Sequence, residues 1–382
     1  MKIGIILNHN FDPNAGGVQR VSNSISEIFS NFKYETIIIC FTKQIHLSSD
    51  NKVPVFSVSN EKQLRNLLKD ENITLIINQE GYSFKFTKLL LRSRPAGSSI
   101  INNLHINPLN FVDNYKEFVR GFFIRYKLEF LNNQISQKVI LFYHIAKQRI
   151  ELNFIIKNTD AFVMLSERFK PELFTLAPNL RKYENKIHGV GNPFERPKIK
   201  IEELKKENIV LFVGRINILQ KRVDLLVEIW KQLHASCPEW QFWVLGEGED
   251  RKFMEDFCKK NKLDRVKFFG KDNPNSYYTK AKIFHMTSAF EGFGNVLVEA
   301  QSYGCVPILF NSYSAAQDII NHDVDGFLIN PFNVDAYVKQ TIELMNNPDK
   351  LEAMSKSAFE NVCRFSYKKT YQKWEAVFKA TQ

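Results

Sequence analysis

Short apolar runs recur along this chain, and between most of them lie segments whose apolar positions repeat every three to four residues. In the first half, Lys2–Leu7, Thr36–Phe41, Thr74–Asn78, Ser98–Leu104, Ala161–Leu165 and Lys186–Val190 read as strands, and Val18–Ser30 and Glu61–Asp70 as helices. Strands made almost wholly of apolar residues and separated by helices imply a parallel sheet covered on both faces. The alternation restarts at Ile209. Strands are predicted at Ile209–Val213, Gln241–Leu245, Val266–Phe269, Lys282–Thr287, Val306–Phe310 and Gly326–Ile329, with helices at Val223–His234, Asp250–Lys260 and Asn295–Tyr303. Helices over Val334–Asn346, Lys350–Arg364 and Tyr367–Ala380 close the chain.

Between the two alternating halves, Gly191–Lys206 holds two prolines followed by a charged run and reads as a linker. The expected organisation is a domain over 1–190, a linker over 191–206, a second domain over 207–365, and a closing helix, 366–382, that packs back on the first domain. Two doubly wound α/β domains in tandem is the simplest architecture. One segment breaks the rhythm. Residues 110–154 form long helical stretches in which aromatics mix with Arg and Lys. Such helices either lie in a membrane interface or cover the domain with their aromatics inward and their charges solvated.

Composition narrows the class. With 382 residues, 44% hydrophobic and 24% charged, the chain has the make-up of an ordinary globular protein of two domains. The five cysteines are scattered and lack the paired spacing of zinc or redox motifs, which fits a reducing compartment; Cys40 and Cys305 sit in apolar runs and are expected in the core. The apolar run at the N-terminus is too short for a secretory leader, and no stretch approaches the ~18 apolar residues of a membrane span. A cytoplasmic protein is expected, with the inner face of the plasma membrane as the place where 110–154 would act. Residues 1–190 hold 25 Lys and Arg against 16 Asp and Glu, whereas 191–382 hold 27 against 25, so the first half carries most of the +11 net charge. That excess suits an anionic membrane or an acidic substrate. Nucleic acid is not expected as a partner, since no zinc-finger or RNA-binding aromatic motif is present.

The unusual residues fall where doubly wound sheets bind ligands, just past the carboxyl ends of strands. After the first strand, Gly16 and Gly17 precede a helix, as in a phosphate-cradling turn or an ordinary one. His105 follows Ser98–Leu104 and is either a structural hydrogen-bonder or a site residue. Gly214, Arg215 and Lys221 follow Ile209–Val213, and two cations held there suit a diphosphate. Gly246-Glu247-Gly248 and Gly270-Lys271-Asp272 end the next strands; each either touches a nucleotide or simply turns. In Ala289–Gly304, AFEGFGNVLVEAQSYG, a glycine-rich joint separates Glu291 from Glu299, and Asn295 is the expected cap of the following helix. The two glutamates are either solvent-facing or grip two parts of one ligand.

Taken together and in order, AGGVQR, His105, NTDAFVMLSE, GNP, FVGRINILQKRVD, VLGEGED, FFGKD, SAFEGFGNVLVEAQSYGCVPI and DGFLI resemble the retaining glycosyltransferases of family 4. The resemblance runs over nearly the whole chain and is strongest from Ile209 to Ile329. It implies the GT-B fold, two Rossmann-like domains facing across a cleft. It also implies a nucleotide-sugar donor, UDP- or GDP-linked, a glycan or lipid-linked acceptor of cell-surface polysaccharide or lipopolysaccharide type, and neither a cofactor nor a metal. By the same resemblance Arg215 and Lys221 would hold the donor diphosphate, Glu291 the sugar hydroxyls and Glu299 the ribose. Gly16, Gly17, Gly294, Asn295 and Val296 would offer backbone donors, Gly214, Gly270 and Lys271 would line the donor site, and His105 would reach the sugar from the opposite domain. The chain departs from the family at NSYSAAQD, 311–318, where many members carry a Gly-Gly pair and a glutamate. An inverting GT-B transferase and a non-catalytic binding partner are the other readings these residues leave open.

Overall fold

The computed structural model describes residues 1–12, 17–42 and 52–381. The chain divides into two units, one formed by Met1–Pro193 with Tyr367–Gln382 and the other by Phe194–Ser366. Each unit is built on one parallel sheet.

In unit 1 the strands are β1 (Lys2–Leu7), β2 (Glu35–Phe41), β3 (Val55–Val58), β4 (Leu75–Asn78), β5 (Ser99–Leu104), β6 (Ala161–Met164) and β7 (Ile187–Gly189), in the order β3-β2-β1-β4-β5-β6-β7. In unit 2, β8 (Glu207–Val213), β9 (Gln241–Leu245), β10 (Val266–Gly270), β11 (Ala281–Met286), β12 (Val306–Phe310) and β13 (Phe327–Ile329) run β10-β9-β8-β11-β12-β13. Strand order therefore reverses between β1 and β4 in one sheet and between β8 and β11 in the other. Registers such as Ile3 against Leu75 and Val210 against Ile283 hold the central pairs parallel. The central strands are apolar throughout because helices cover both faces: Ile5, Ile6, Ile76 and Ile77 in unit 1, and Val210, Leu211, Ile283 and Phe284 in unit 2, are wholly buried.

The predicted strands and most predicted helices form within a residue or two of their expected ends. Other elements are additions, among them β3 and the Phe84–Ser93 helix. β3 is a four-residue edge strand after Pro54, too short for alternation to show. The Phe84–Ser93 helix starts at Ser83, whose side chain accepts from Phe86 N. The closing Tyr367–Ala380 helix buries Trp374, Val377 and Phe378 among Val21, Ile25, Ile28 and Phe29 of the Gly17–Phe32 helix. Its rings meet Phe29 edge-on, with centroids 5.7 Å away for Trp374 and 5.1 Å for Phe378. Residues 110–158 form helices over Asn110–Asp113, Tyr115–Arg125 and Gln134–Asn158, the last opened by a reciprocal cap between Asn133 and Ser136. Of their apolar residues, Val119, Phe123, Leu152, Ile155 and Ile156 face the interior. Many of the others do not.

Candidate active site

The loops beyond β8 and β11, at the strand-order reversal of unit 2, carry most of the expected residues. Past Val213 the chain runs against the loop after β9, with Gly214 N donating to Leu245 O at 3.0 Å and Ile216 N to Glu247 O at 2.9 Å. This close approach explains two glycines. A Cβ at Gly246 would lie 1.9 Å from Gly214 O, and one at Gly248 would lie 2.0 Å from Ile216 O. Asn217 then caps a single helical turn, Ile218–Lys221, while Asp250 Oδ2 accepts from Ile218 N at 2.6 Å. Two bonds fasten this turn to the end of β11: Ala289 N to Gln220 O at 2.7 Å and Thr287 Oγ1 to Lys221 O at 2.8 Å.

The result is a buried ion pair. Lys221 Nζ lies 2.5 Å from Glu291 Oε1, with side-chain exposures of 11% and 12%. Gln220 Nε2 approaches the other carboxylate oxygen at 3.4 Å. Two residues expected to serve different parts of a ligand thus hold each other, and a charge-assisted bond in such a dry place is strong. Arg215 stays exposed and forms no ion pair among the described residues. It remains available to an anion.

The joint after Glu291 corrects one expectation. The cap of the Asn295–Gln301 helix is Gly294, not Asn295, which is the first helical residue with Val296 next. Gly294 takes a left-handed conformation, φ +99°, and a Cβ there would lie 2.6 Å from Tyr313 Oη. Only glycine meets both conditions. Gly294→Ala should cost about 1–2 kcal/mol from the backbone alone and more from the contact, and adding Tyr313→Phe should recover part of the loss; denaturant melts of the single and double variants check this, and equal stabilities would exclude it. Tyr313 belongs to the departing segment 311–318. Its hydroxyl is buried without a hydrogen bond among the described residues, as are those of Ser288 and Ser314. Burial, and then the nearby Glu291 carboxylate, push the Tyr313 phenol well above its usual pKa.

Glu299 is buried, not solvent-facing, and accepts from Tyr278 Oη at 3.2 Å. Gly270 closes β10 at φ +74°, and Lys271 is exposed beyond it, on the edge strand two places from β8.

Unit 1 has its own cluster at its reversal point. Gly16 lies outside the described residues, and Gly17 is the exposed first residue of the Gly17–Phe32 helix. His105 Nε2 lies 2.5 Å from Gln79 Oε1, which also accepts from Asn103 Nδ2 at 3.1 Å. Burial pushes the His105 pKa down to about 4, so the imidazole is neutral at pH 7. Sequence reasoning missed its neighbours His9 and Glu80, paired at 3.2 Å just past β1 and β4. The His9 hydrogen bond holds the Glu80 carboxyl below its ordinary range. The strand-end rule that singled out His105 applies equally to both. No group of three or more His, Cys, Asp or Glu side chains that could hold a metal occurs among the described residues.

Residues 194–361 match the family described as glycosyl transferases group 1. Among curated relatives, the amylovoran biosynthesis glycosyltransferase AmsD of Erwinia amylovora is 22% identical over 372 residues, covering 95% of this chain and 96% of its own. Among solved structures, the lipopolysaccharide outer core galactosyltransferase WaaB superposes over 100% of both chains with a TM-score of 0.71 at 17% identity. Anabaena Alr3699/HepE in complex with UDP and glucose also covers 100% of both chains, with a TM-score of 0.71 and 15% identity. Unit 2 therefore carries a glycosyl transferases group 1 domain, and the chain is a glycosyltransferase built on the GT-B fold.

Proposed function

We propose that this enzyme moves a glycosyl group, with retention of configuration and without a metal, from a UDP- or GDP-linked sugar to a hydroxyl of a glycan or lipid-linked acceptor in cell-surface polysaccharide assembly. The observation that carries the proposal is the Lys221–Glu291 pair beside exposed Arg215 at the strand reversal of unit 2. A donor diphosphate draws Lys221 away from Glu291, and Arg215 grips it as a fork. The freed Glu291 carboxylate accepts from sugar hydroxyls, and Glu299, steadied by Tyr278, accepts from the ribose. As the bond from the anomeric carbon to the diphosphate breaks, the acceptor oxygen bonds to that carbon on the same face and its proton passes to the departing diphosphate. Arg215 and Lys221 meet the charge developing on the leaving group, the work a metal would otherwise perform.

The relatives' names support the substrate class: AmsD belongs to amylovoran biosynthesis, WaaB to the lipopolysaccharide outer core, and HepE was crystallised with UDP and glucose. A thermal-shift screen of UDP- and GDP-sugars in the presence of EDTA tests the proposal, because a ligand that binds the folded state raises Tm. One donor should stabilise the protein and then glycosylate an acceptor with the donor's anomeric configuration, read by NMR. No stabilisation by any nucleotide sugar at millimolar concentration would overturn it.

A further inference from the structure

The Gln134–Asn158 helix has two apolar faces, and only one is covered. Its inner face holds Gln148, Leu152, Ile155 and Ile156, all buried. On the opposite side Ile135, Val139, Phe142, Tyr143, Ala146 and Ile150 fall within a sector about 100° wide at 3.6 residues per turn. Five of these six are exposed large side chains, with Ile135 at 77%, Phe142 at 76% and Ile150 at 70%. The preceding segment adds Phe122, Ile124, Tyr126 and Phe130, the last 78% exposed. Scattered surface apolar residues need no explanation, but so many large ones within 122–150 mark a contact surface.

The charges say which contact. Between residues 116 and 150 stand seven Lys or Arg against two Glu. Lys138 and Lys147 flank the apolar sector of the long helix, and Arg120, Arg125 and Lys127 are exposed beside the aromatics of the segment before it. Apolar and aromatic side chains among cations match a bilayer interface, where rings enter the headgroup layer and long cationic stems reach back to anionic lipids. A second copy of this chain would set the same cations against each other across a two-fold interface, which is unfavourable. Among the described residues no helix is long and apolar enough to cross a membrane. We propose that residues 122–150 of unit 1 seat on an anionic lipid surface, with the outer face of the Gln134–Asn158 helix lying in the headgroup layer.

The test is flotation of the whole chain with phosphatidylcholine vesicles, with and without phosphatidylglycerol, at low and high salt. Binding is expected with the anionic vesicles and should weaken as salt rises. Phe130→Ser with Phe142→Ser should weaken it at least about tenfold, and Lys138→Glu with Lys147→Glu at least about 30-fold, with loss of the preference for anionic lipid. All four side chains are exposed, so unchanged circular-dichroism melts certify folded variants. Failure to float with either vesicle, or flotation that neither double variant alters, would overturn the proposal. So would a lipid-free dimer in sedimentation that Phe130→Ser with Phe142→Ser dissolves, since that assigns the face to a second copy. Vesicle binding is read without substrate, so a negative result leaves the transferase proposal standing.

Discussion

Lys221→Ala is expected to lower kcat/KM by about 10²–10³-fold, the usual effect of removing one preorganised electrostatic partner of a transition-state charge. The fall should appear chiefly in kcat, because Arg215 still anchors the diphosphate while the charge of the leaving group goes partly unmet. The substitution also strands Glu291, whose remaining partner is Gln220 at 3.4 Å. Breaking a buried pair by removing one member costs about 3–5 kcal/mol. Stability and activity can therefore be separated. Lys221→Ala combined with Glu291→Gln should regain much of the lost stability, since no unpaired carboxylate stays buried, and none of the activity. Steady-state kinetics and denaturant melts of both variants decide the matter; a double variant that turned over at near the parental rate would make the pair a structural one.

Trp374→Ala should destabilise unit 1 by about 3–5 kcal/mol, the range for deleting a large buried aromatic. Trp374 is 1% exposed and packs edge-on against Phe29, so its removal opens a cavity between the closing helix and the Gly17–Phe32 helix. Cutting the chain after Ser366 removes Val377 and Phe378 as well, and leaves Phe29, Ile25 and Val21 facing water. Hydrogen exchange locates the effect: amides of Gly17–Phe32 should lose protection while those of β8 and β11 keep theirs. Unchanged protection of Gly17–Phe32 in Trp374→Ala would refute the assignment.

The central strands were legible because they are buried on both faces, which leaves an unbroken apolar run such as IGIIL or IVLFV that hardly any other element needs. Edge strand β3 was not, since four half-covered residues carry no such signature. The strand-end rule found Arg215, Lys221, Glu291 and His105 from local pattern alone. It passed over His9 and Glu80, whose pairing joins the ends of two different strands and leaves no mark in either stretch of sequence. Asn295 looked like a helix cap because its side chain suits that role; the left-handed turn that Tyr313 presses against requires Gly294 instead.

Local pattern, then, determined the two parallel sheets, the order of their elements and the loops in which site residues lie, because period and turn chemistry act over a few residues. Tertiary structure alone decided that Lys221 and Glu291, 70 positions apart, share one buried ion pair, that Glu299 leans on Tyr278, and that the final helix completes the core of the first unit. These depend on which strands lie side by side and which helix faces find cover. Such choices are made by long-range packing, and a residue's neighbours in sequence do not encode them.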